Sequence, residues 1–223
     1  MIAKQFKAIA LILMLLFSVS VSAQQDYFEK EIVAFEAQDA ANPPIEGQIL
    51  LYGSSTLRLW STCETDFANS KYKIVNRGFG GSQTCDANKF FDRVVMPHKP
   101  KFIFFYEGDN DIGSGKSVDT VWADFNTFYG KVKNQLPKTQ VVYFAIKPSP
   151  SRIEQMEKQK AFNGMVKKMA NREKRLKYLE TFKIMLDKEG KPDPKLFKKD
   201  MLHMNAEGYA LWTKKVQKLL KRL

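Results

Sequence analysis

The sequence predicts an α/β fold of three layers, a five-stranded parallel sheet covered by helices on both faces. Three observations carry that reading. Five short runs rich in β-branched, aromatic and aliphatic residues recur along the chain, at 48–52, 72–76, 101–106, 140–146 and 176–180. Stretches with helical spacing of apolar residues lie between them, and strands alternating with helices build a parallel sheet. The run KFIFFY at 101–106 is almost wholly apolar, as a central strand buried on both faces must be.

The elements follow in order. Residues 26–41 read as an opening helix, halted at Asn42-Pro43-Pro44 because proline lacks the N–H and restricts the residue before it. The first strand ends in YGSSTLRLW, with Gly53, Ser54 and Ser55 in a strand-to-helix turn. The second is followed by NRGFGGSQT and the third by YEGDNDI. Helical spacing then covers 118–136, the fourth strand 140–146, a further helix 153–170, and the fifth strand 176–180. At the end Tyr209, Trp212, Val216, Leu219, Leu220 and Leu223 recur three or four apart with lysines between them. This is an amphipathic helix that packs on the sheet, with Asn205 as its cap.

Residues 1–23 place Lys4 and Lys7 ahead of an apolar run that closes on Val21-Ser22-Ala23. That is the pattern of a secretory signal peptide cut after Ala23, leaving one domain over 24–223 in a secreted or periplasmic protein. The uninterrupted apolar run is shorter than the roughly 20 residues that a spanning helix needs. The formal charge is +12 at pH 7, and the lysines are spread out, as on a solvated surface. Export argues against nucleic acid as a partner, and leaves anionic lipid or polysaccharide for any peripheral contact through that charge. Cys63 and Cys85 fit no zinc site or redox pair, so they are either one disulfide or two free thiols.

Two nucleotide-like motifs fail. GFGGSQ at 78–83 has Gln83 where the dinucleotide fingerprint needs its third glycine, and GSGKS at 113–117 has Asn110 where a phosphate loop needs glycine. In a parallel α/β sheet the residues just beyond the strands' carboxyl ends are the ones that meet ligands. Those stretches hold Gly53, Ser54 and Ser55, then the glycine-rich NRGFGGSQT, then Asn110, and the chain later supplies Asp200 and His203 in DMLHMNAEGY. A serine hydroxyl is a poor nucleophile until a base takes its proton, and a neutral imidazole suits that task. Asp200 sits three residues before the imidazole, where one short loop can carry a base and the group that orients it.

These four pieces in this order resemble the SGNH (GDSL-like) hydrolase family across most of residues 24–223. The resemblance implies a flavodoxin-like fold and a serine esterase without a cofactor or metal. It puts the nucleophile on Ser55, the triad partners on Asp200 and His203, and the oxyanion donors on the Ser55 and Gly81 N–H groups and the Asn110 amide. The chain departs from Gly-Asp-Ser-Leu, with Ser54 for the aspartate and Thr56 for the leucine. That departure opens the choice between Ser54 and Ser55 as nucleophile, and turn geometry with the family register favours Ser55. Substrates in the family include acetylated sugars, lysophospholipids, other lipids and thioesters. No apolar insert that could form a lid lies between the third block and Asp200, so the expected substrate is a short-acyl ester of a small molecule or glycan, as for a carbohydrate acetylesterase. The alternatives are a lysophospholipase or lipase-type acylhydrolase, and a non-catalytic carbohydrate- or lipid-binding module on the same fold. Glu107, Asp109 and Asp111 form an alternative oxygen-rich cation site, and His98 reads as a surface loop residue.

Overall fold

Five runs of residues that fit a pleated, buried surface become five strands in the computed structural model, which describes residues 27–223. They are β1 (Ile49–Gly53), β2 (Ile74–Gly78), β3 (Phe102–Tyr106), β4 (Gln140–Phe144) and β5 (Leu176–Leu179). The sheet order is β2-β1-β3-β4-β5 and every pairing is parallel. The helices of this unit are α2 (Ser55–Arg58), α3 (Cys63–Asp66), α4 (Thr84–Val94), α5 (Asp109–Gly113), α6 (Val118–Gln135), α7 (Met156–Ala170) and α8 (Ala206–Leu220). Residues 43–223 form one compact unit. The expected opening helix, α1, covers 27–41 within the N-terminal unit, where the Asn42 N–H bonds Gln38 O at 2.9 Å. The signal peptide assigned to 1–23 lies outside the described residues. Among the described residues no helix is long and apolar enough to cross a membrane.

Alternation along the strands sends side chains to two separate cores. On one face Phe105 stacks on Phe128 of α6 with ring centroids 3.8 Å apart, Phe128 meets Phe91 of α4, and Tyr143 meets Phe162 of α7. On the other, Trp212 of α8 lies against Tyr106 and Phe144, and Trp60 joins it from the segment between α2 and α3. Each such ring, fully buried, stabilises the fold by about 1.5–3 kcal/mol, so the two aromatic layers hold the sheet from both sides.

Two elements start two or more residues later than the sequence reading placed them. Strand β2 runs two residues later than 72–76 because its pairing with β1 sets Ile49 opposite Ile74 and Gly53 opposite Gly78. The polar Asn76 is accommodated there: its amide donates to Leu57 O at 2.7 Å and its Oδ1 accepts the Gly78 N–H at 2.9 Å. The helix expected from 153 begins as an α-helix only at Met156. Before it, residues 150–155 form a 3-10 turn in which Arg152 leaves helical geometry, at φ −125 and ψ 29. Pro150 opens that turn, and the Ser151 N–H is taken by Met201 O at 3.0 Å. His98 is a further correction: it is buried, 1% exposed, with its Nδ1 hydrogen-bonded to the Gln48 amide. The cysteines are two free thiols, Cys63 buried and Cys85 exposed.

Candidate active site

The site forms where β1, β2 and β3 end together. Gly53 has φ 139, and a Cβ there would stand 2.1 Å from Tyr106 O, so glycine alone lets the two strand ends lie this close. Ser54 follows in extended geometry as the cap of α2, 2% exposed, with its N–H on Tyr106 O at 3.1 Å. Ser55 is the first residue of α2 and is half-buried. Its Oγ lies 3.0 Å from His203 Nε2. It is therefore Ser55, and not the buried Ser54, whose hydroxyl faces the imidazole.

His203 is carried by a tight loop ahead of α8. The Asn205 side chain caps that helix through the N–H groups of Glu207 and Gly208, and the Lys198 N–H bonds His203 O at 2.8 Å. Such a cap contributes about 1 kcal/mol, so DMLHMNAEGY serves as helix cap and as carrier of the imidazole at once. His203 Nδ1 lies 2.7 Å from Asp200 Oδ2, and Asp200 Oδ1 accepts the N–H groups of Leu202 and His203 at 3.0 and 2.9 Å. Desolvation pushes the Asp200 carboxyl up, but these hydrogen bonds outweigh it and hold the group at about 2. An ionised Asp200 accepts from Nδ1–H, which leaves Nε2 bare to accept from the Ser55 hydroxyl.

Gly81 lies in the loop between β2 and α4 with φ 83, the left-handed region that favours glycine. The loop is tied to β1 by the Phe79 N–H on Gly53 O at 2.7 Å. Asn110 is the second residue of α5, and its Nδ2 donates to Ser82 O at 2.9 Å. The structure thus joins Ser55, His203 and Asp200 directly. It brings Asn110 onto the residue next to Gly81.

The three acids around Asn110 do not converge on one point. Asp109 pairs with Arg152 Nη1 at 2.7 Å and Lys147 Nζ at 3.4 Å. Asp111 accepts from the Thr84 N–H and hydroxyl and pairs with Lys116 at 3.1 Å. Glu107 accepts the Ser82 hydroxyl at 2.6 Å, and its second oxygen is buried without a hydrogen-bond partner among the described residues. Three separate sets of partners replace the cation site considered from the sequence. Burial, with Asp111 nearby, holds the Glu107 carboxyl well above the usual range, which favours its neutral form. Burial also pushes Asp109 up, but Lys147 and Arg152 outweigh it and hold the group below its usual range.

Sequence reasoning missed Lys147 and Arg152. Lys147 is 1% exposed at its side chain and directly follows the apolar run 141–146. A charged residue at that point, just past the carboxyl end of a buried strand, is the signal that marks it.

The profile of the GDSL-like Lipase/Acylhydrolase family matches residues 50–211, and the chain belongs to that family. Its members are ester hydrolases by class, and the fold agrees with solved structures. A candidate platelet activating factor from Streptococcus pneumonia is similar at 21% identity and TM-score 0.74, over 91% of this chain and 99% of its own. A GDSL-like lipase from Bacteroides thetaiotaomicron is similar at 18% identity and TM-score 0.73, over 86% and 97%. A catalytic mutant of an acetylxylan esterase from Geobacillus stearothermophilus is similar at 12% identity and TM-score 0.65, over 78% and 94%. No curated protein sequence matches the chain.

Proposed function

We propose that the chain is an exported serine esterase that hydrolyses short-acyl carboxylic esters of glycans or small molecules through an acyl-serine intermediate. The observation that carries this reading is the relay from Ser55 Oγ to His203 Nε2 at 3.0 Å and from His203 Nδ1 to Asp200 Oδ2 at 2.7 Å. Ser55 Oγ attacks the ester carbonyl carbon while its proton passes to His203 Nε2. The tetrahedral oxyanion is received by the Ser55 and Gly81 N–H groups and the Asn110 amide, donors that need little reorganisation. The imidazolium then gives its proton to the departing alkoxide oxygen. Water, deprotonated by the same ring, attacks the acyl carbon and releases the acid and Ser55. Asp200 stays ionised and steadies the imidazolium throughout.

Support for a short acyl group comes from how open the site is. The Asp200 side chain is 47% exposed and that of His203 24%. The apolar Ile153 and Met201, in the segments that carry Arg152 and His203, are exposed rather than walled in. A deep pocket would gain about 0.8 kcal/mol for each buried methylene, and an open groove does not. The likeness to an acetylxylan esterase is one of fold. Export rests on Lys4, Lys7 and the apolar run that follows them.

The test has two parts. Fluorophosphonate labelling with peptide mapping is expected to find the label on Ser55, and a label on Ser54 overturns the assignment. An acyl series of p-nitrophenyl esters below micelle formation is expected to show acetate and butyrate at least as good in kcat/KM as decanoate. A steady climb to long chains moves the substrate to lysophospholipids, and labelling without turnover of any ester favours a binding module.

A further inference from the structure

Arg152 lies outside the four stretches that suggested the site, on the 3-10 turn after β4. Its guanidinium reaches two side chains: Nη1 donates to Asp109 Oδ1 at 2.7 Å, and Nη2 donates to Asn110 Oδ1 at 3.0 Å. On the other side of that amide, Asn110 Nδ2 donates to Ser82 O at 2.9 Å. A guanidinium only donates and a carbonyl only accepts. The Asn110 amide is therefore locked in one of its two flips, because the opposite flip would set acceptor against acceptor at Ser82 and donor against donor at Arg152. In the locked flip one of the two Nδ2 hydrogens is on Ser82 O.

We propose that Arg152 is a positioning residue of the esterase reaction, holding the Asn110 amide in the flip that keeps its second N–H for the oxyanion. This rests on the serine-esterase reading above. The guanidinium is itself held in place. Asp109, which anchors it, also accepts from the Tyr106 hydroxyl at 3.1 Å and faces Lys147 Nζ at 3.4 Å. Gly113 leaves room for it, since a Cβ there would stand 2.9 Å from Arg152 Cζ. Lys147 Nζ donates to Leu202 O at 2.9 Å, and the Ser151 N–H donates to Met201 O at 3.0 Å. The segment that fixes the oxyanion amide is thus also bonded to the loop that carries His203, so one turn sets the spacing of both halves of the site.

The experiment is p-nitrophenyl acetate hydrolysis by the full chain carrying Arg152→Lys, Asn110→Ala or both, with melting curves alongside. Lysine still supplies a cation to Asp109 but lacks the planar fork that reaches Asn110 as well. Arg152→Lys is expected to melt near the wild type and to lose about 10- to 100-fold in kcat, with KM changed by less than about twofold. In the Asn110→Ala background the same change is expected to cost less than about threefold, because its target is gone. Arg152→Gln, neutral and shorter, is the second variant and is expected to show the same loss confined to kcat. An unchanged kcat overturns the inference. So does an equal loss with Asn110 absent, which makes the effect independent of the amide, or a rise in KM alone, which makes Arg152 a substrate contact. A wild type that neither labels at Ser55 nor turns over ester overturns the esterase reading itself, whereas a labelled, active wild type with an unaffected Arg152→Lys overturns only the role of Arg152.

Discussion

The two arms of the site are built in opposite ways. In the base arm, an exposed loop, the Asp200 carboxylate binds residues two and three positions on and is half in water. The arm proposed to hold the oxyanion, Asn110 with Arg152, Asp109 and Ser82, is knitted from residues 28 to 43 positions apart, and Asp109 is 5% exposed at its side chain. An exposed ion pair contributes little to stability, whereas breaking a buried one leaves a stranded charge. The base arm should therefore carry rate with little stability, and the oxyanion arm should carry both.

The sharpest way to break that comparison is Asp200→Asn. Asparagine keeps an oxygen for the Leu202 and His203 N–H groups but presents N–H to the ring, which favours the wrong imidazole tautomer. A loss of about 10⁴-fold in kcat is expected, with Tm within about 4 °C of wild type, the equivalent of at most about 1 kcal/mol. Steady-state kinetics and a melting curve decide it, and a large fall in Tm would show that the loop is structural. The pH behaviour follows from the depressed carboxyl. The Asp200 contribution is complete above the usual carboxylate range and is lost as pH falls through about 2. Any acid limb of kcat/KM at higher pH then belongs to another group.

Asp109→Asn should give the converse pattern. It removes the charge between Lys147 and Arg152, and stability is expected to fall by about 3–5 kcal/mol, or roughly 6–20 °C in Tm. The Asp109 carboxyl is also held low, so its support is present above the usual carboxylate range and fades on acidification below it. Differential scanning calorimetry of the two aspartate variants side by side is the measurement. Equal shifts in Tm would erase the distinction between the arms.

The effect that is smallest over a single pH unit concerns Glu107, whose carboxyl is raised. Its neutral form is present in the fold at pH values where the unfolded chain has already ionised. Stability is therefore lost as pH rises above the usual glutamate range, by at most about 1.4 kcal/mol per unit. Glu107→Gln has no proton to lose and should show a flatter Tm profile between pH 4.5 and 8. Identical slopes would mean that Glu107 is ionised beneath the oxyanion arm.

The elements, their alternation and the Asp200–His203 pair were legible in the sequence, because each rests on contacts within a few residues, where backbone geometry alone decides who meets whom. Apolar periodicity placed α6, α8 and the five strands, and three-residue spacing sufficed to predict that a carboxylate and an imidazole share a loop. Tertiary structure decided the rest. The choice of Ser55 over Ser54 depends on the close approach of the β1 and β3 ends at Gly53 and on where the loop before α8 comes to rest. The burial of His98 depends on Gln48, 50 residues away. The recruitment of Lys147 and Arg152 depends on β4 lying beside β3, which carries the end of one strand to the helix that follows the other. Contacts of that kind are set by strand order and register, and these come from the packing of two aromatic cores rather than from any local pattern of residues.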